Sequence, residues 1–362
     1  MAMKIGLGLY RESLTDENFR FAAQAGVTHI VAHLANYFSG KTPRLSRGQE
    51  DTGWGDCSTD ELWTYEEMAD LVRRLRLHGL ELAAIENFSP KFWSDILLDG
   101  PKRAEQVAGL KQLVIDAGRA GVPCIGYNFS VAGVWGWTRG PFSRGGAVSV
   151  GFDLSAIDPS LPIPDGVLWN MRYRPAIVGA APISVTTEQI WQRLEAFLRE
   201  LVPIAEAAGV KLAAHPDDPP VEMLRGAARL VNQPAKYDRL IGVIDSPFNA
   251  TELCLGSLQE MADGDIYDTV RRIARRDRIG YIHFRNVRGK VPNYVETFID
   301  DGDIDMAEII RILRDEKFDG VLIPDHTPEL ECGAPWHAGM AYALGYMRAL
   351  VNNAAHLGPA RR

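Results

Sequence analysis

The sequence predicts an α/β fold and, within that class, a (β/α)8 TIM barrel. Eight short apolar runs alternate with helical patterns along the 362 residues, and such alternation indicates a parallel sheet. Eight units indicate that the sheet closes into a barrel, for which this chain length with insertions is normal. No GxGxxG follows the first apolar run, which disfavours a doubly wound nucleotide-binding sheet.

The strands are predicted where a short apolar run stops at a polar or turn residue. In chain order they cover residues 4–9, 28–33, 80–86, 123–127, 211–215, 241–245, 279–284 and 320–324. Helices are predicted between them, at residues 19–25, 64–78, 101–121, 187–208, 221–230, 256–274, 303–314 and 338–351. Ser13 or Thr15 suits the N-cap of the first helix, which Gly26 ends. The fifth strand stops at His215 because two prolines soon follow it, at 216 and 219.

Two long segments interrupt the regular alternation. Residues 35–63 are rich in Gly, Ser and Asp and are long enough to form a lid. Residues 128–186 follow strand four, hold five glycines between 133 and 146, and show no period that predicts a helix or strand. We therefore predict one barrel domain over residues 1–362 with insertions at about 35–63 and 128–186. The cations and aromatic residues of the second insertion suit an anionic, hydroxylated small molecule.

Composition excludes several classes of function. A formal net charge of −8 gives no basic surface for nucleic acid. No apolar stretch reaches transmembrane length, and the start of the chain does not resemble a signal peptide. The four cysteines are widely spaced, without a CxxC pair, which favours a reduced cytoplasmic protein. The sequence leaves the oligomeric state open, including a homo-oligomer.

Ionisable or polar residues stand where most of the predicted strands end or, as with Cys254, one loop beyond. In TIM barrels the chemistry takes place at this end of the strands. The residues are His33, Glu86, Asn128, His215, Asp217, Asp245, Cys254, His283, Arg285, Asp325 and His326. Taken together, His215, His283 and Asp325 on strands five, seven and eight predict a metal site, although each histidine taken singly is more typical of a structural residue.

Cys254 remains open on the sequence pattern alone. A single cysteine between Leu253 and Leu255 is usually a small buried hydrophobic residue. As a thiolate it would favour Zn²⁺ or Fe²⁺, whereas imidazole and carboxylate also accept Mn²⁺.

The chain resembles the D-mannonate dehydratase family of the xylose-isomerase-like TIM barrels. The similarity covers most of the chain, from strand three to strand eight. The matching motifs are Tyr127-Asn128-Phe129, Trp137-Thr138-Arg139, His215-Pro-Asp-Asp-Pro-Pro, Leu253-Cys254-Leu-Gly-Ser, His283-Phe-Arg285-Asn-Val, Gly302-Asp-Ile-Asp-Met and Pro324-Asp325-His326.

The resemblance implies a metal-dependent hydro-lyase that converts D-mannonate, a small sugar acid, to 2-keto-3-deoxy-D-gluconate in hexuronate catabolism. It implies that His215, Cys254, His283 and Asp325 bind Mn²⁺, with Fe²⁺, Co²⁺ and Zn²⁺ as alternatives. It also implies roles in proton transfer for His326 and for His337 or Tyr342. The residues it offers for binding substrate are Glu86, Asn128, Trp137, Arg139 and Arg285.

The chain departs from the family pattern in three places. The motif Asp-His-Gly-Arg is here Asp325-His326-Thr327-Pro328, and Glu-Ala-Ser-His is here Glu296-Thr-Phe-Ile. The family's catalytic tyrosine after strand eight has no clean partner, which is why both His337 and Tyr342 are considered. A dehydratase for a different aldonate or polyol acid, a metal-dependent sugar isomerase or epimerase, and a non-catalytic sugar-binding barrel are the alternative functions.

Overall fold

A closed barrel of eight parallel strands forms the centre of the protein. The computed structural model describes residues 3–37, 55–358 and 360. The barrel strands are β1 (Lys4–Leu9), β2 (His29–His33), β3 (Glu81–Glu86), β4 (Cys124–Tyr127), β5 (Lys211–Ala214), β6 (Asn249–Cys254), β7 (Ile279–His283) and β8 (Val321–Ile323). They follow one another around the barrel in chain order, and β8 pairs with β1 to close it. The predicted fold class is confirmed.

Ten α-helices are present in the described part of the chain. They are α1 (Asp16–Gln24), α2 (Tyr65–Leu77), α3 (Ser94–Leu98), α4 (Arg103–Ala120), α5 (Thr187–Ala208), α6 (Lys236–Gly242), α7 (Leu255–Glu260), α8 (Ile266–Arg275), α9 (Met306–Asp315) and α10 (Pro335–Asn352). Thr15, Thr64 and Thr186 cap α1, α2 and α5, because each side chain accepts a hydrogen bond from an N–H of the first turn. None of these helices is long and apolar enough to cross a bilayer.

Small and apolar side chains fill two layers. Inside the barrel, a buried cluster includes Val31, Ala84, Ala213, Tyr281 and Ile323. A larger buried cluster includes the apolar residues of the helices. Small residues suit the inner layer because eight strands leave an interior that is just wide enough for side chains.

The prediction of strand six at residues 241–245 is wrong. Residues 236–242 form α6, and the side chain of Asn249 donates hydrogen bonds to the carbonyl oxygen of Leu240 within this helix and to that of Ile244 just after it. The true strand, β6, is completely buried but carries Asn249, Thr251 and Glu252. A run with three polar residues lacks the apolar pattern by which strands are predicted. For this reason the predicted strand began eight residues before the true one.

The helix predicted at residues 221–230 is also wrong. Met223–Leu224 and Ala227–Ala228 form an antiparallel hairpin. Arg225 and Gly226 connect them with φ angles of 50° and 77°. Two consecutive positive φ angles are typical of the tight turn of a hairpin, and they break a helix.

The insertion at residues 128–186 contains short strands that the sequence did not predict. Trp137–Gly140 and Ser149–Asp153 join Asn293–Glu296 and Val287–Lys290 in a four-stranded antiparallel sheet beside the barrel. Val167–Leu168 and Met171–Arg172 pair with each other, and the latter also pairs with Gly55–Asp56. Of the proposed lid at 35–63, residues 38–54 lie outside the described residues.

Candidate active site

A cavity of about 160 Å³ opens at the carboxyl ends of the barrel strands. Ten of the residues that the sequence singles out line it, namely His33, Glu86, Asn128, Trp137, Arg139, His215, His283, Arg285, Asp325 and His326. They come from six different strand ends and from the inserted sheet, and only the closed barrel brings them together.

Three side chains at the floor of the cavity form a group that suits a metal ion. One ligand atom each of His215, Cys254 and His283 lies within 4.8 Å of the other two. Strand register places two of them side by side, because Cys254 pairs with His283 across β6 and β7. His215 directly follows β5 and donates its backbone N–H to the carbonyl oxygen of Tyr127 at 2.9 Å. Cys254 is fully buried and does not line the cavity itself.

Asp325 lies on one side of this group. Its Oδ2 is 3.2 Å from Nδ1 of His283 and 3.3 Å from Nε of Arg285. Its φ of 62° is unusual for a residue other than glycine. Such a conformation persists only where its surroundings enforce it, and it is concentrated at functional sites.

The electrostatics of the group fit a divalent cation. Burial raises the pKa of the Cys254 thiol, but Arg285, His215 and His283 outweigh burial and hold it well below its usual range. Burial also raises the pKa of Asp325, and His283 and His326 lower it well below the usual value. The thiolate and the carboxylate are the forms that bind metals. Two imidazoles, one thiolate and one carboxylate form a donor set for Zn²⁺, Fe²⁺, Co²⁺ or Mn²⁺.

A second group, Glu86, Glu252 and His283, also has ligand atoms within 4.8 Å of one another. The sequence pattern missed Glu252, because the strand that carries it was placed elsewhere. Its side chain is fully buried, and its Oε1 lies 2.9 Å from Nε2 of His283. Once the position of β6 is known, the spacing Glu252-Leu-Cys254 indicates that Glu252 lies near the metal site. Alternate residues of a strand share a face, so Glu252 is on the same face as Cys254.

Arg285 is held in a network of carboxylates rather than left free for substrate. It forms an ion pair with Glu296 and approaches Asp218 at 2.6 Å, Asp325 at 3.3 Å and Glu260 at 3.4 Å. It is almost completely buried. A buried guanidinium with this many partners orders the site around it.

His326 borders both the cavity and this network. Its Nδ1 lies 3.1 Å from Glu296 and its Nε2 lies 3.4 Å from Asp325. Its ring contacts Trp137 edge to face. Burial lowers the pKa of His326, but Asp325 and Glu296 raise it to about 9, so the imidazolium form is favoured near neutral pH.

The structure does not bring His337 and Tyr342 to the cavity. Nε2 of His337 lies 3.1 Å from Oδ1 of Asn18, and its ring packs on Phe21. Tyr342 is 40% exposed and contacts Arg144. Both belong to α10, and neither lines the cavity. Their proposed role in proton transfer therefore loses its structural basis.

Asp217, Asp218 and Asp245 take structural roles. Asp217 accepts hydrogen bonds from the backbone of Leu230 and Val231. Asp218 accepts from Tyr294 at 2.6 Å and from Trp137 at 3.2 Å. Asp245 is not at a strand end but is an exposed loop residue that pairs with Arg278. Only Asp218 of these three lines the cavity.

Aromatic side chains that were not singled out form another wall of the cavity. Tyr10 stacks on His33 with ring centroids 4.5 Å apart, and Tyr37 lies 5.2 Å from the Trp169 ring. Trp169 has a φ of 48°, and its backbone N–H donates to the carbonyl oxygen of Val131. His33 lines this wall, and burial lowers its pKa although Glu86 opposes the shift.

The fold and site define a barrel enzyme with a buried histidine, cysteine and carboxylate site at the carboxyl ends of its strands. The family model of D-mannonate dehydratase (UxuA) matches residues 11–163 and 178–354. The chain therefore belongs to the D-mannonate dehydratase family, whose enzymes are hydro-lyases. The resemblance read from the motifs is confirmed.

Individual relatives agree with this assignment. A mannonate dehydratase from Streptococcus equi subsp. zooepidemicus is 32% identical over 286 residues, which are 75% of this chain and 76% of the relative. One from Geobacillus thermodenitrificans is 30% identical over 81% of this chain and 85% of the relative. The crystal structure of mannonate dehydratase from Streptococcus suis serotype 2 superposes with a TM-score of 0.76 at 26% identity, covering 100% of this chain and 96% of that one.

More distant structures share the fold alone. A D-psicose 3-epimerase from Clostridium cellulolyticum H10 superposes with a TM-score of 0.56 at 14% identity, covering 99% of this chain and 100% of that one.

Proposed function

We propose that this chain removes water from D-mannonate to give 2-keto-3-deoxy-D-gluconate, with a divalent cation, Mn²⁺, bound by His215, Cys254, His283 and Asp325. The observation that carries the metal site is the convergence of three ligand atoms within 4.8 Å of one another beneath the cavity. When bound, the cation polarises the substrate and stabilises the negative charge that develops when a proton is removed next to a carboxylate.

Two histidines of the cavity, His326 and His33, carry out the proton transfers. A dehydration needs a base for the C2 proton and an acid for the departing C3 hydroxyl. His326 is favoured as the imidazolium and donates a proton to the leaving hydroxyl. His33 lines the same cavity with a lowered pKa, so it is a neutral imidazole that can accept the C2 proton. Opposite pKa shifts in one site are typical of an acid and base pair.

Substrate binding falls to the remaining polar residues of the cavity. Arg139 lines the mouth and lacks the buried carboxylate network that surrounds Arg285. It is therefore the guanidinium that receives the substrate carboxylate. Asn128 and Glu86 line the cavity deeper in the barrel and offer hydrogen-bond partners to the hydroxyl groups.

The test is an assay of the purified full-length protein with D-mannonate and Mn²⁺. We expect stoichiometric formation of a 2-keto acid, loss of activity with a chelator and its recovery when Mn²⁺ is added back. Parallel reactions with Fe²⁺, Co²⁺ and Zn²⁺ identify the preferred metal, and a panel of other aldonates tests the effect of the Thr327-Pro328 departure. Absence of 2-keto acid from D-mannonate at high enzyme concentration would refute this substrate, and epimerised sugar acid without dehydration would refute the reaction.

A further inference from the structure

Carboxylate groups lie close to both ring nitrogens of His283. On its Nε2 side lie Glu252 Oε1 at 2.9 Å and Glu86 Oε2 at 3.3 Å. On its Nδ1 side lies Asp325 Oδ2 at 3.2 Å. His283 as a whole residue is 2% exposed. The two nitrogens therefore face different groups of acids.

The two nitrogens also differ in their hydrogen bonds. Nε2 has hydrogen-bond geometry to Glu86, whereas Nδ1 is buried without a hydrogen-bond partner among the described residues. Buried polar atoms are hydrogen-bonded in the great majority of cases, so an exception needs an explanation. A nitrogen that binds a metal through its lone pair provides that explanation.

We propose that Glu86 and Glu252 are positioning residues that hold His283 in the Nε2–H tautomer and thereby make Nδ1 its metal-binding nitrogen. This inference rests on the metal site of the proposed function. In metal sites, the second nitrogen of a histidine ligand commonly donates to a carboxylate, which fixes the orientation of the ring and raises the basicity of the ligand. Here Nε2 faces two carboxylates, with hydrogen-bond geometry to Glu86 and a distance of 2.9 Å to Oε1 of Glu252.

Glu252 acts only through other side chains. It is fully buried and does not line the cavity, so it does not contact substrate. Its Oε1 lies 3.9 Å from Nε2 of His215 as well as 2.9 Å from Nε2 of His283. Because it shares a strand face with Cys254, one residue apart, it adjoins three of the four proposed ligands. Glu86, in contrast, lines the cavity and also lies 3.6 Å from His33.

In an alternative arrangement, the two glutamates are metal ligands instead of positioning residues. Glu86, Glu252 and Nε2 of His283 would themselves bind the ion, on the opposite side of the ring from Asp325. The two arrangements predict opposite orders of sensitivity. If the glutamates position the ring, Asp325→Asn weakens metal binding more than Glu252→Gln does. If the glutamates are ligands, the order is reversed.

The first experiment measures Mn²⁺ affinity of the full-length protein by the electron paramagnetic resonance signal of the unbound ion. For Glu252→Gln and Glu86→Gln we expect Kd to rise about 10- to 100-fold, with one ion per chain retained. Glu308→Gln is the matched control, because Glu308 is also buried but pairs with Arg311 on α9. Its Kd is expected to equal that of the wild type. An unchanged Kd in both site variants, or abolished binding with Asp325→Asn unaffected, would overturn the inference.

The second experiment needs no variant and therefore does not depend on how a substituted protein folds. The Zn²⁺-loaded wild-type protein, labelled with ¹⁵N in histidine, is studied by NMR. We expect His283 to show a proton on Nε2 and a metal-shifted Nδ1, and the reverse pattern would overturn the inference. Failure of the wild type to bind any divalent ion would instead refute the metal site of the proposed function itself, and this inference with it.

Discussion

At the scale of single residues, the backbone conformation of Asp325 places its own side chain and that of His326 at the cavity. The left-handed φ of Asp325 occurs just after β8, where the strand stops. Both side chains line the cavity, with Asp325 near His283 and His326 near Glu296. Holding a residue other than glycine in this region costs about 1–3 kcal/mol. The surrounding ion pairs enforce it.

His326→Asn tests the assignment of the acid. Because the substituted side chain cannot donate a proton from an imidazolium, kcat is expected to fall about 10²- to 10⁴-fold while Mn²⁺ binding is retained. His337→Asn is the comparison, since His337 contacts Asn18 outside the cavity. Steady-state kinetics of both variants decide the matter. A larger loss in His337→Asn than in His326→Asn would reverse the assignment.

Cys254→Ala tests whether the thiolate is a ligand. We expect the Kd for Mn²⁺ to rise by more than the roughly 10- to 100-fold effect of residues behind the ligands. Metal at 100 times its Kd stabilises a folded protein by about 2.7 kcal/mol, so a chelator should lower the Tm of the wild type but not of this variant. Cys124→Ala is the control, because Cys124 is buried at the start of β4, where it pairs with Lys211, at the opposite end of the strands from the proposed ligands. A chelator-sensitive Tm in Cys254→Ala would contradict the ligand role.

At the scale of elements, the segment after β8 crosses the mouth of the cavity. The backbone N–H of Glu329 donates to the carbonyl oxygen of Val148 at 2.8 Å, which ties this segment to the inserted sheet. The side chain of Glu329 pairs with Arg139 at 2.7 Å. Glu329 is about half exposed, so it can leave the guanidinium readily. A carboxylate of the chain thus occupies the position proposed for the carboxylate of the substrate.

Glu329→Gln is expected to lower KM because it frees Arg139 without removing it. An exposed ion pair contributes about 0.2–1 kcal/mol, so the decrease in KM should reach about fivefold at most, with kcat unchanged. Glu331→Gln, an exposed acid two residues further on, should leave KM as it is. Initial rates over a range of D-mannonate concentrations provide both values. A rise in KM for Glu329→Gln would mean that Glu329 contributes to binding instead of competing with it.

At the scale of the whole molecule, aromatic packing joins the barrel to its surrounding helices and to the inserted segment. Phe197 of α5 lies 5.4 Å from the rings of both Tyr127 and Phe129 and 6.2 Å from Trp93. It is completely buried. Tyr127 ends β4, and Phe129 is the second residue of the insertion that carries Trp137 and Arg139. Packing at this point therefore supports the cavity wall.

Phe197→Ala is expected to lower the free energy of unfolding by about 3–5 kcal/mol, through lost apolar burial and the remaining cavity. Leu77→Ala serves as the control, because Leu77 is 73% exposed, and its effect should stay within about 0.5 kcal/mol. Urea denaturation followed by circular dichroism measures both. A loss below about 1 kcal/mol for Phe197→Ala, well under the usual range, would show that the aromatic cluster collapses to fill the gap.

The sequence by itself determined the barrel class and seven of the eight strands, and it predicted His215, His283 and Asp325 as metal ligands, whereas Cys254 came only from the family resemblance. It did so because apolar runs that stop at a histidine or acid are local signals, and because the motifs around them are specific. The four metal ligands, the single domain over residues 1–362 and the cytoplasmic location remain predictions, and the oligomeric state stays open.

Only the tertiary structure decided where β6 lies, because the side chains of Asn249 and Thr251 in this buried strand donate hydrogen bonds to the carbonyl oxygens of Leu240 and Arg278, which no local pattern shows. The same closure of the barrel brought Glu252 and Glu86 beneath His283 and left His337 outside the cavity. Which side chains share a cavity depends on strand order and register, and these form only when the barrel closes.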